Sequence, residues 1–157
     1  MGFFKIRQFL NLKNMNLPHD YSASAAATNS GNVDLTVEGL SSLESNAPKE
    51  FGGPGDQWSP EDLLVAAVAD CFVLSFRAIA GMSKYEFTNI SATVTGKLDK
   101  VERDIQFTEL SIKADLVIPA GADESRAQRL LEKAEATCFI TNSLKAKPHL
   151  EMNITTG

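Results

Sequence analysis

The apolar pattern is densest between Ser59 and Gly81, SPEDLLVAAVADCFVLSFRAIAG, where only Asp70, Ser75 and Arg77 clearly interrupt the run from Leu63 to Ala80. A stretch apolar nearly all round predicts a central helix that must be covered on most of its sides. Its start is well marked. Ser59 can cap the first turn, Pro60 fits the first helical position, and Glu61 and Asp62 suit the positive end of the dipole. Gly81 offers a left-handed stop. Ahead of the helix, the run from Tyr21 to Thr28 and the alternating Val33, Leu35 and Val37 flank Asn29-Ser30-Gly31-Asn32, a hairpin signal. From Gly39 to Trp58 the chain turns to Ser, Asn, Pro and Gly and ends in Gly52-Gly53-Pro54-Gly55, which predicts a loop leading into the helix.

Beyond the helix, Ile90, Ala92, Val94 and Gly96 alternate with Ser91, Thr93, Thr95 and Lys97, and Leu98 continues the apolar face of a one-sided strand. Asp99 to Asp104 reads as a reversal. In the next strand Ile105 and Phe107 hold odd positions, while Leu110, Ile112, Ala114, Leu116 and Ile118 hold even ones. The slip of phase at Thr108-Glu109 predicts a bulge. A second helix begins at Asp123, with Ala127, Leu130, Leu131, Ala134 and Cys138 on one face, so Cys138 ends the buried stripe. Leu150, Met152 and Ile154 make a last alternating strand. The order of elements has no βαβ rhythm to suggest a parallel sheet. It predicts an α+β class, mainly antiparallel sheets around two core helices.

Composition narrows the function classes. The 157 residues suit one domain, read here as 17–157 after an extension at 1–16 that frays or docks on a neighbour. The net charge of -5 and the lack of a basic stripe argue against nucleic acid. The glycines of GGPG lack the Lys-Ser/Thr of a phosphate loop, so no nucleotide cofactor is expected. The long helix has the length of a membrane span, yet Asp70, Arg77 and the surrounding strand sequence favour a core helix and no membrane. With no secretory pattern in the first residues, a cytoplasmic setting is expected. Cys71 and Cys138 lie 67 positions apart, with no CxxC pair and only His19 and His149 beside them, so no metal site is expected. The two cysteines are either small buried hydrophobes or a redox pair.

Taken together, SPEDLLVAAVADCF, the later CFITNSLKA and their placement on two helices separated by a strand hairpin resemble the OsmC/Ohr family of osmotically inducible and organic hydroperoxide resistance proteins. The most specific part is Pro60-Glu61 ten residues before Cys71-Phe72. The resemblance implies an intertwined homodimer with active sites at the interface, and reduction of organic hydroperoxides by a thiol pair. It casts Cys71 as the attacking thiol, Cys138 as the resolving one, Glu61 as a carboxylate that orients an arginine, and a dithiol or lipoylated protein as reductant. A non-catalytic, dimeric redox-sensing or apolar-ligand-binding member of the family is the alternative. Glu61 and Cys71 are about 15 Å apart along one helix, so a dimer or an inserted loop must bring them together.

The chain also departs from the family pattern. No arginine occurs between Leu17 and Gln57, where members supply one, and Lys49 is the cation in the corresponding neighbourhood. Arg77, the other candidate, points about 240° away from Cys71 and could serve only across an interface. Asp70 and Arg77 lie nearly in phase, two turns apart, and are expected to pair reciprocally between antiparallel helices of a dimer. The family's Cys-Pro at the second cysteine is Cys138-Phe139 here.

Overall fold

A computed structural model describes residues 16–157; apart from Asn16, the extension expected at 1–16 lies outside the described residues. The chain divides into two units, Asn14–Leu64 and a second containing Val65–Gly157, each described by itself.

In the first unit, β1 (Ser24–Ala26), β2 (Val33–Thr36) and β3 (Leu43–Ser45) form an antiparallel sheet in that order, with Ala26 opposite Asp34 and Leu35 opposite Leu43. The expected hairpin is present, with shorter strands than the apolar run suggested. The expected loop from Gly39 to Trp58 is more ordered than its composition implied: it contains β3 and a 3-10 turn at Lys49–Phe51. Leu43 is the one apolar residue of that three-residue strand, so no periodicity marked it. Gly55 is required where it stands, because its φ is 73° and a methyl there would lie 2.2 Å from Lys49 Cε and 2.4 Å from Lys49 Cγ.

Helix α1 (Pro60–Met82) begins in this unit. Ser59 and Asp62 make a reciprocal cap: Asp62 N–H donates to Ser59 Oγ at 3.1 Å, while Ser59 N–H and Oγ–H donate to Asp62 Oδ2 at 3.1 and 2.8 Å. The far end differs from expectation. Gly81 stays helical and Lys84 takes the left-handed conformation at φ 51°. Tyr85 N–H then bonds Ala80 O at 2.8 Å and Lys84 N–H bonds Gly81 O at 3.2 Å, the paired closure that satisfies two end carbonyls.

In the second unit β4 (Asn89–Val101) and β5 (Asp104–Ile118) form a long antiparallel hairpin closed at Glu102-Arg103, with Glu102 at φ 57°. Lys97 pairs with Glu109 and Leu98 with Phe107, so Thr108 is the extra residue of the expected bulge. The bulge lets both Phe107 and Leu110 face the apolar side despite their opposite parity. Helix α2 (Glu124–Ala136) is capped by Asp123, which accepts from Arg126 N at 2.9 Å. After a single turn, α3 (Phe139–Asn142), the chain enters β6 (Pro148–Thr156).

The expectation of no parallel pairing is corrected here. β6 runs parallel to β5, Ile112 opposite Leu150 and Leu116 opposite Ile154. Two helices and a loop between β5 and β6 supply the long crossover that parallel neighbours need. Three of the four strand pairings are nevertheless antiparallel, consistent with the α+β class. One side of this sheet meets both helices: Phe72, Phe76 and Ile79 of α1, Ile112, Leu116 and Ile118 of β5, and Leu131 and Ala134 of α2 share one buried core. Full burial of each large side chain contributes about 1.5–3 kcal/mol. The start of α2 is fastened to the end of α1 by Tyr85 Oη–H donating to Asp123 O at 3.0 Å and by Arg126, which donates to Ser83 O and stacks over the Tyr85 ring.

Helix α1 was expected to be covered on most sides. Within this unit Val68, Phe72, Ser75, Phe76 and Ile79 are buried, while Ala67, Asp70, Arg77 and Gly81 are exposed and Leu74 is half-buried. The uncovered residues follow a 3-4-3-4 spacing, a continuous stripe along one side.

Candidate active site

Cys71 projects from the middle of α1, and Cys138 lies at the corner between α2 and α3. That corner is built locally. Helix α2 ends as Thr137 N–H and Oγ–H both return to Lys133 O, at 3.1 and 2.8 Å, and Cys138 becomes extended at φ -67°, ψ 115°. Its carbonyl then accepts from Asn142 N at 3.0 Å and from Thr141 Oγ1 at 3.1 Å, which starts α3. Cys138 is fully buried and Cys71 only partly, both are free thiols, and each acts on the ionisation of the other. Residues 67 positions apart thus meet because the crossover from β5 to β6 carries α3 back over α1.

The two thiols titrate as a pair. Cys71 is pushed up, first because its hydrogen bond to Cys138 holds its proton and then by burial; the backbone N–H groups of Ile140 and Phe139 act in the opposite sense. Cys138 is pulled down to about 5, chiefly by the hydrogen bond from Cys71, against burial and with help from the Thr141 hydroxyl and the N–H groups of Thr141 and Ile140. The pair gives up its first proton readily and its second with difficulty.

Cys71 opens into a cavity of about 180 Å³ lined by Ala67, Asp70, Cys71, Leu74, Ser75, Phe139 and Ile140. Asp70 is therefore beside the thiol, and its carboxylate has no ion-pair partner among the described residues. Arg77 lies on the exposed stripe and is likewise unpaired there. No Lys or Arg stands among the described groups acting on either sulfur.

In the first unit, Glu61 sits in the opening turn of α1 and lines an apolar cavity of about 470 Å³ with Val33, Leu35, Phe51 and Leu63. Its Oε2 is buried without a hydrogen-bond partner among the described residues, a costly arrangement that calls for a donor from elsewhere. Lys49, at the start of the 3-10 turn, is exposed, lays its stem across Gly55 and forms no ion pair with Glu61. The residues that sequence reasoning missed are Thr141, Phe139 and Ile140. A hydroxyl three places after a cysteine is weakly visible in CFIT, but two backbone N–H groups leave no mark in a sequence.

Comparison with known proteins places this architecture in a family. The profile of the OsmC-like protein family matches residues 53–153, and the chain belongs to that family. Peroxiredoxin OsmC of Escherichia coli (strain K12) is 31% identical over 96 residues, which are 61% of this chain and 66% of that protein, so the chain spans just under two thirds of that relative. The organic hydroperoxide resistance protein of Xanthomonas axonopodis pv. citri is 26% identical over 129 residues, 80% of this chain and 87% of that one. In fold, an OsmC-like protein of unknown function from Vibrio cholerae superposes with a TM-score of 0.80 at 19% identity, covering 87% of this chain and all of that one.

Proposed function

We propose that the chain is a thiol peroxidase that reduces organic hydroperoxides through Cys71 and Cys138. The observation that carries this reading is the meeting of the two thiols, whose ionisations are shifted in opposite directions, beside a cavity. The names of the relatives, a peroxiredoxin and an organic hydroperoxide resistance protein, support the same chemistry. The proton first shifts onto Cys138, leaving Cys71 as thiolate. Its sulfur attacks the nearer oxygen of the O–O bond, the bond breaks, and the departing alkoxide takes a proton and leaves as the alcohol. Cys71 is then a sulfenic acid. The sulfur of Cys138 displaces water from it, and a disulfide forms. A dithiol reductant restores both thiols by exchange. A cytoplasmic setting, where thiols stay reduced, suits two unbridged cysteines.

The reading includes a homodimer. The exposed stripe Ala67, Asp70, Leu74, Arg77 and Gly81 supports it, since small and apolar residues at coiled-coil spacing carry two opposite charges that an antiparallel partner could pair reciprocally. The orphaned Glu61 oxygen supports it as well, as a group waiting for a donor from Lys49 or from Arg77 of a second copy. A second reading, a non-catalytic module holding an apolar ligand, is favoured by the apolar cavity that Glu61 lines and by the lack of a described cation at Cys71.

Treating the reduced protein with one equivalent of an organic hydroperoxide, then measuring intact mass and mapping disulfides, tests the two against each other. Rapid loss of two hydrogens mapped to Cys71–Cys138, absent in Cys71→Ser, is the expected result. Thiols that stay reduced for many minutes overturn the peroxidase in favour of the binding module.

A further inference from the structure

The cavity into which Cys71 opens is lined by a carboxylate, Asp70, and by no cation among the described residues. Ala67, Asp70 and Leu74 of that lining also belong to the uncovered stripe of α1, so whatever covers the stripe walls the cavity. We propose that Arg77 of a second copy of this chain is the cation of the Cys71 site, held at the cavity by an ion pair with Asp70. This assignment rests on Cys71 being the attacking thiol of a dimer, and adds the residue that the second copy contributes.

The stripe is its own complement. Ala67, Asp70, Leu74, Arg77 and Gly81 are nearly symmetric about Leu74, with the acid before it and the base after it. Against an antiparallel copy related by a twofold axis near Leu74, Ala67 meets Gly81, Asp70 meets Arg77 and Leu74 meets itself. Neither charge has an ion-pair partner among the described residues, so both are available for that exchange. Cys71 and Arg77 lie three positions either side of Leu74, which sets Arg77 of the second copy level with Cys71 along the axis. Small residues at a helix contact let the axes approach to about 8 Å, a gap that an arginine stem crosses. Alone, the Asp70 carboxylate opposes a thiolate beside it. Paired with a guanidinium it no longer does, and the planar fork keeps further N–H donors to turn toward the cavity. An arginine held by Asp70 is not free for Glu61, whose donor is then Lys49.

The test reads the rate at which iodoacetamide, a small neutral reagent, alkylates Cys71 in the reduced protein across pH, with the site mapped by mass. Rates are taken at a protein concentration where sedimentation shows a dimer. Arg77→Ala should be about tenfold slower at neutral pH and recover at alkaline pH, where the thiolate forms unaided. An excess of Cys71→Ser, which carries Arg77 and offers no thiol at position 71, should return the parent rate, because the mixed pair regains the arginine from the other chain. Cys71→Ser/Arg77→Ala should give no such rescue. A parent that sediments as a monomer, an Arg77→Ala rate equal to the parent's, or a deficit that Cys71→Ser leaves untouched each overturn the proposal. Should Arg77→Ala not pair with itself, co-expression with Cys71→Ser under different tags supplies the mixed pair, held to the same parent rate. Failure to recover a mixed pair counts against the proposal likewise, since one Asp70–Arg77 contact survives in it. Because no peroxide is used, failure of the peroxidase reading shows separately: the rescue can hold while hydroperoxide leaves both thiols reduced.

Discussion

The two units differ in what they bury. From Val68 to Ala146 the second unit encloses a continuous apolar core shared by α1, β5 and α2. In residues 16–64 the buried residues are Ser45 and Ser59, and Val33, Leu35 and Leu43 remain half-open, with Phe51 and Trp58 exposed. The second unit has the makings of independent stability. The first has backbone pairing between three short strands and an apolar cavity lined by Val33, Leu35 and Phe51. The difference separates a unit that holds its own apolar core from one whose described residues enclose almost none.

Three measurements strain that contrast. The largest effect is expected from Phe72→Ala, which empties the core and should cost about 3–5 kcal/mol in denaturant unfolding, while Leu35→Ala in the same monomeric conditions should cost under about 1. Equal costs at high dilution would erase the distinction. Should the Leu35→Ala penalty grow with protein concentration, the missing cover is a second copy. Next comes Arg77→Asp, which places a second acid on the exposed stripe of α1. Sedimentation should show association weakened about tenfold or more, with the thermal unfolding of the core little changed and association regained on adding Asp70→Arg. An unaltered association constant would remove the stripe from the interface.

The third measurement is a pH dependence confined to the second unit. An unfolded cysteine ionises near 9.0, whereas folded Cys138 does so at about 5. Its contribution is therefore fully present above the unfolded value and lost as pH falls through about 5. Cys71, raised by folding, acts in the opposite sense and removes stability as pH climbs beyond 9.0. Stability from the pair should rise between about 5 and 9.0 and decline above, a pattern absent from Cys71→Ser/Cys138→Ser. A double variant with the same pH profile as the parent would refute the shared charge.

How much of this was legible depends on how local each signal is. The ends and face of α2, the start of α1, the long hairpin and its bulge at Thr108 were readable because each rests on a local pattern of caps or alternation. The stop of α1 was not. Lys84 took the left-handed position that Gly81 seemed made for, since what fixes the end is the docking of Tyr85, buried against α2. The parallel partner of β5 was hidden too, because nothing within β6 distinguishes a parallel from an antiparallel neighbour. At the site, the side chains that carry chemistry were visible, and the turn that solvates them was not. Lys49 and Arg77, expected as a charge for the thiol, are exposed in this chain, and Arg77 could reach a sulfur only across an interface.

The separation of 67 positions between the cysteines also has a thermodynamic side. A bond between them would close a loop of that length and remove about 4 kcal/mol of conformational freedom from the unfolded chain in the loop-entropy account. Oxidation and folding would then be linked. Whatever in the crossover from β5 to β6 holds α3 against α1 raises the effective concentration of one thiol at the other, and so makes the disulfide harder to reduce. A substitution far from either sulfur that loosens this crossover would leave the protein a stronger oxidant, with its active groups untouched.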